Sequence, residues 1–223
     1  PKSLDNISKV EAIELFLKSV IDVTLENVAA YKIQKAFFDM HECGHNLLVN
    51  IVSYIKNRDP KKIIVLDSKI GDIDNTMNAY YETVFKAFNV DAVTLNPYMG
   101  RDVWKSIINY RNRGGLVLIK TSNKSADIIQ NAYLPGHGIF WKYILKIIVN
   151  EWKNGFCLIP ILSSHTNYDL KGIRSEIPDE MPIFYAGVGA QEASLNAIKY
   201  CFDSNNSGVL VNSSRKILYP FNT

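Results

Sequence analysis

The hydrophobic positions of the chain fall into short runs separated by longer amphipathic stretches. The runs are AYKIQ (30–34), KIIVLD (62–67), AVTLNP (92–97), GLVLIKT (115–121), CLIPIL (157–162), PIFYAG (182–187) and GVLVNS (208–213). Most are continuously apolar rather than alternating, the pattern of strands buried on both faces of a parallel sheet. Between them the spacing predicts helices in SKVEAIELFLKSVIDVTLENVA, ECGHNLLVNIVSYIKN, NTMNAYYETVFKAFN, RDVWKSIINYRNR, GIFWKYILKIIVNEWKN, NYDLKGIRSEI and QEASLNAIKYCFD. Ser8 is a candidate N-cap, with Glu11 at capping-box distance. The order is one helix and then seven strand–helix units, the last helix reduced to a stub. Such alternation gives a parallel α/β sheet. The expected architecture is a (β/α)8 TIM barrel in one domain over residues 1–223, its first strand lying upstream of Pro1 and its last helix cut short at Thr223. An open doubly wound sheet is the runner-up. It would want a glycine-rich turn after an early strand, and the sequence has no G-x-G-x-x-G.

Composition narrows the function classes. Hydrophobic residues make up 47% and charged residues 21%, ordinary values for a globular chain. The net charge of +3, with basic residues scattered, does not argue for nucleic acid and suits an anionic small molecule at most. Cys43, Cys157 and Cys201 have no C-x-x-C spacing and read as free thiols of a reducing compartment, hence the cytoplasm. The apolar runs are strand-length, too short to span a membrane.

Residues 41–45, HECGH, fit H-E-x-x-H. On a helix, histidines at i and i+4 share one face and can hold Zn²⁺, and the glutamate can activate a bound water. No third histidine follows closely, and Glu82 is the only acid that suggests itself from a following helix. Gly44 is a poor helix residue, costing ~1 kcal/mol against alanine. The stripe HNLLVNIV is reason enough for a helix, so the segment is expected to be scaffold on the barrel's outer ring, without metal.

In such barrels the reactive groups sit at the C-terminal ends of strands, and a phosphate site forms from the last two loops. Here those loops are GVGAQ (187–191) and NSSR (212–215). The first offers backbone N–H groups to an anion, and Arg215 in the second offers its guanidinium fork. The richest stretch is LDSKIGDIDNT (66–76). Asp67 and Lys69, two apart, point the same way if the chain is extended. Asp67 follows a run that should be buried, so it leaves the core into the mouth. Asp72 lies three beyond Lys69, and Lys32 points to the neighbouring strand end. Alternation of Lys32, Asp67, Lys69 and Asp72 would pair charges that could not be buried singly, and would hold a general acid in place before substrate arrives.

DSKIGDIDNT resembles the D-x-K-x-x-D-I-x-x-T motif of the orotidine 5′-phosphate decarboxylase family. YKIQKAFFD, VTLNPYMG, IKTSN, GVGAQ and VNSSRKILY resemble further blocks of its branch typified by many bacterial enzymes. The resemblance implies conversion of orotidine 5′-monophosphate (OMP) to UMP and CO₂ in de novo pyrimidine synthesis, with neither metal nor cofactor. It makes Lys69 the proton donor to C6 and sets Asp67 against the substrate carboxylate. Lys32 would link Asp67 to the ribose hydroxyls. Asp72 and Thr76 would be shared across a homodimer. Ser122 would read the pyrimidine edge, and Gln191 and Arg215, helped by the Ser214 backbone, would bind phosphate. Three departures stand out. The family's first-strand G-L-D-P block, whose aspartate binds ribose, precedes the present start; Ala186 replaces a usual proline; and Ser163 and Ser164 replace smaller residues. The competing reading on the same scaffold is a Mg²⁺-dependent sugar-phosphate decarboxylase or synthase, in which the same acids hold a metal.

Overall fold

The computed structural model describes residues 7–163, 169–188 and 195–219. Its first helix, α1 (Lys9–Thr24), begins where the capping box places it: Glu11 N–H donates to Ser8 Oγ at 3.2 Å and Ser8 N–H to Glu11 Oε2 at 2.8 Å. The strands follow in chain order: β1 (Ala30–Gln34), β2 (Ile63–Ile70), β3 (Ala92–Leu95) and β4 (Gly114–Lys120). A short antiparallel hairpin, β5 (Tyr133–Leu134) with β6 (Gly138–Ile139), intervenes before β7 (Leu158–Ser163), β8 (Ile183–Ala186) and β9 (Val209–Val211). Seven of these form one parallel sheet in the order β1-β2-β3-β4-β7-β8-β9. Among the described residues β1 and β9 do not pair. The sheet is therefore a curled, partly closed barrel of seven parallel strands, the seven expected from the apolar runs. The hairpin was not foreseen.

Period-2 alternation sorts each strand between two cores. Val65, Ala92, Leu116, Ile161 and Phe184 pack inside the curl. Their neighbours, among them Ile64, Leu66, Val93, Leu95 and Val117, belong to the larger core between sheet and helices. The helices that pack on that outer core with α1 are α2 (Ala36–Asp39), α3 (Gly44–Arg58), α4 (Asp74–Tyr81), α6 (Phe140–Lys153), α7 (Leu170–Glu176) and α8 (Leu195–Ile198), while the short α5 (Ala126–Gln130) follows β4 and α9 (Arg215–Leu218) follows β9. α6 buries Trp141, Ile144, Leu145, Ile148 and Val149, an i, i+3, i+4, i+7, i+8 stripe. α4 runs into a π-helical turn, Glu82–Ala87, where one unbroken helix was expected.

Two helix expectations need correction. RDVWKSIINYRNR is not an α-helix but two 3-10 segments, Pro97–Val103 and Lys105–Asn109. Gly100 at φ 73° and Trp104 at φ −122° interrupt the helical backbone there. The HECGH segment is mostly a turn: α3 starts only at Gly44, so His41, Glu42 and Cys43 lie ahead of it. The i, i+4 geometry that zinc would need is absent. Gly44 is required by contact, because a Cβ there would lie 1.8 Å from the Phe38 carbonyl oxygen. His45 instead packs against the Phe88 ring, centroids 4.9 Å apart. Glu82 accepts from the Tyr110 hydroxyl at 2.8 Å. No group of three or more metal-ligating side chains occurs among the described residues.

The end of the sheet where the strands begin is tied by Asp91, just before β3. Its carboxylate accepts from Lys56 Nζ at 2.7 Å, an Arg113 guanidinium N–H at 2.8 Å and the Ile64 N–H at 2.8 Å.

Candidate active site

Inward parity, followed to the strand ends, assembles the mouth of the curl. Val65 faces inward, so Asp67 does too; Ala92 leads to Thr94, and Leu116 and Leu118 lead to Lys120. On β1, Ile33 faces the helices, which turns Lys32 and Gln34 inward. These ends surround a cavity of about 310 Å³.

Asp67 is the hub. Its Oδ2 accepts from Lys32 Nζ at 2.6 Å and Gln34 Nε2 at 3.2 Å. Its Oδ1 accepts from Lys69 Nζ at 2.7 Å and Thr94 Oγ1 at 3.0 Å. Four donors thus occupy a carboxylate that offers about four lone-pair sites. Burial pushes the Asp67 carboxyl up, but the Lys32 and Lys69 ammonium groups outweigh it, and the net shift is downward. The carboxylate stays ionised at neutral pH.

Lys69 reaches Asp67 by an unexpected route. The backbone is not simply extended: Lys69 has φ 49°, and β2 slips register against β3 between Leu66 and Ile70. The left-handed residue aims its ammonium toward the cavity, on a side chain that remains 46% exposed.

Lys32, Asp67 and Lys69 therefore form a continuous ion chain, whereas Asp72 does not join it within this chain. Asp72 Oδ1 accepts from the Ile73 N–H at 2.8 Å. Thr76 is exposed on α4, and neither residue lines the cavity. Ser122, Ser214 and Arg215 do line it. Arg215 opens α9, opposite the turn at Gly187 (φ 93°) that follows β8. Gln191 and Ser164 lie outside the described residues. Ala186 and Ser163 both contribute to the cavity wall.

Three polar residues were missed. Gln34 and Thr94 belong to the Asp67 array, and Lys120, 2% exposed, donates to Asp127 and to Asn131 Oδ1 at 3.0 Å. Thr121 N–H donates to Gln130 Oε1 at 3.0 Å, so Lys120 and Thr121 both tie the Ser122 loop to the α5 region. Inward parity was the signal that could have found them.

A chained cation–anion–cation set at the strand ends of a parallel α/β sheet, with an arginine and a glycine turn beside it, fits the class of barrel enzymes that act on anionic substrates. The profile of the "Orotidine 5'-phosphate decarboxylase / HUMPS family" matches residues 3–219, and the chain belongs to that family. It is 33% identical over 223 residues to the orotidine 5′-phosphate decarboxylase of Cellvibrio japonicus, covering 100% of this chain and 81% of that protein. Leishmania donovani OMP decarboxylase superposes with a TM-score of 0.84 at 28% identity, over 96% of this chain and 82% of that one. The UMP synthase of the same organism superposes with a TM-score of 0.87 at 28% identity, over 96% of this chain and 47% of that one.

Proposed function

We propose that the Lys32–Asp67–Lys69 chain is the catalytic apparatus for decarboxylating OMP. Family membership and full-length relatives support the activity: a carboxy-lyase reaction producing UMP in pyrimidine biosynthesis. The observation that carries the mechanism is Asp67, an ionised, fourfold hydrogen-bonded carboxylate with an ammonium on either side.

The 5′-phosphate binds Arg215, the Ser214 backbone and Gln191, and Ser122 reads the pyrimidine edge. This directs the substrate carboxylate toward Asp67, a fixed negative charge that resists it. The bond from C6 to CO₂ breaks and its electron pair stays on C6. The Lys69 ammonium, already in place, stabilises that charge and then transfers a proton to it. Lys69 recovers its proton from water. Lys32 holds Asp67 and reaches the ribose hydroxyls. Binding energy from the remote phosphate is used at the reacting carbon. No step needs a metal or organic cofactor.

The working unit is a homodimer in which Asp72 and Thr76 serve the partner's site. What supports this is that both lie outside their own cavity, on a surface with exposed Ile73, Tyr80 and Tyr98. The chain works as one domain in the cytoplasm, in keeping with its free cysteines. No described helix is long and apolar enough to cross a membrane.

The test is a spectrophotometric assay with OMP and EDTA. Turnover should persist with EDTA, and Lys69→Ala should abolish it while UMP still binds. EDTA-sensitive turnover would favour the Mg²⁺-dependent sister chemistry, and near-normal turnover in Lys69→Ala would sink the proton-donor role.

A further inference from the structure

Thr94 lies at the centre of the array and is 1% exposed. Its Oγ1 accepts from the Ser68 N–H at 3.0 Å and from the Lys69 N–H at 2.8 Å, and donates to Asp67 Oδ1 at 3.0 Å. A hydroxyl offers one donor and two acceptor sites, so its capacity is fully used. The two N–H groups belong to the irregular stretch where β2 slips against β3. Lys69 sits there at φ 49°, a left-handed conformation that costs an L-residue about 1–2 kcal/mol. Such strain persists only where the surroundings over-determine it. One oxygen does this here, gripping the strained backbone and the carboxylate that receives the Lys69 ammonium.

We propose that Thr94 is a positioning residue for the reaction: it holds the Lys69 backbone in its left-handed turn and so aims the ammonium at the reacting carbon. This rests on Lys69 being the proton donor. Without the hydroxyl, two N–H groups lose their acceptor and the turn can relax toward ordinary strand geometry. Lys69 Nζ then leaves Asp67. Thr94 touches Lys69 only through the backbone, so its loss should affect the chemical step more than ground-state binding.

The test compares Thr94→Val, close in shape but without the oxygen, with Thr94→Ser, which keeps it. Thr94→Val should lower kcat about 10²-fold, the scale of a ~1 Å misplacement. Its UMP affinity should stay near that of the wild type, and Thr94→Ser should restore most of kcat. Wild-type kcat in folded Thr94→Val would overturn the proposal. So would parallel losses of kcat, UMP affinity and melting temperature that serine does not rescue. A crystal structure of Thr94→Val separates this proposal from the reaction assignment. Lys69 leaving positive φ with a lengthened Nζ–Asp67 contact supports positioning when kcat falls; the same movement with wild-type kcat would show instead that Lys69 is not the proton donor. An unchanged Lys69 refutes it.

Discussion

Replacing Asp67 with asparagine removes the charge from the hub while keeping its shape. Its partner Lys32 has a side chain 16% exposed against 10% for Asp67, a mostly buried pair. Deleting one partner of such a pair costs about 3–5 kcal/mol, because the other charge is left uncompensated. Lys69 is 46% exposed, so its bridge adds only about 0.2–1 kcal/mol. The asparagine oxygen can still accept a hydrogen bond, which places the expected loss near 3 kcal/mol, the low end of the buried-pair range. With a typical urea dependence, the unfolding midpoint should fall by about 1 M. The loss must also depend on pH. Burial raises the Asp67 carboxyl, the two lysines lower it further, and the folded-state pKa ends below its ordinary value. A depressed pKa contributes stability that is full above the unfolded value and is lost as pH falls through the folded one. The gap between wild type and Asp67→Asn should thus be full at neutral pH, begin to narrow near the ordinary carboxyl value of about 4 and close as pH falls through the depressed folded-state value. Urea titrations of both proteins at several pH values read it. A gap of the same size in acid and at neutrality, or none at neutrality, would refute the ionised-hub account.

Two further outcomes follow from single residues. Arg215→Ala should weaken UMP by about 10- to 10²-fold, the scale of one charge-assisted bond, and leave uridine nearly unaffected; calorimetric titration of both ligands reads the difference, and equal losses would remove the phosphate role. Gly44→Ala forces a Cβ to within 1.8 Å of the Phe38 carbonyl oxygen, so thermal unfolding should show a loss of at least about 1–3 kcal/mol with turnover per folded molecule unchanged; an unaffected melting curve would show that the α2–α3 corner has room.

The strands were legible because a sheet covered on both faces leaves long apolar runs, and each run overlaps its strand. Asp67 was legible for the same reason, as a charge directly after such a run. Lys69 was placed correctly beside Asp67 but for an incomplete reason, since the left-handed turn at φ 49° has no signature in KIG. Thr94 was invisible because a threonine in a strand ordinarily needs no explanation; its meaning lies in a register slip on the neighbouring strand. RDVWKSIINYRNR has helical periodicity, yet Gly100 breaks the helical backbone just ahead of it and Trp104 breaks it within. HECGH matched a motif letter for letter, but a motif specifies chemistry only when its backbone is helical, and here the helix starts three residues too late.

Asp67 and Asp91 share a side chain but sit at opposite ends of the sheet. Asp67 lines the cavity; Asp91 binds Lys56, Arg113 and the start of β2, away from it. That separation gives the molecule two independent handles for engineering. Tighter or looser ion pairing around Asp91 can retune heat tolerance while turnover stays constant. On the proposed mechanism, any thermostabilising change around Asp67 also alters turnover.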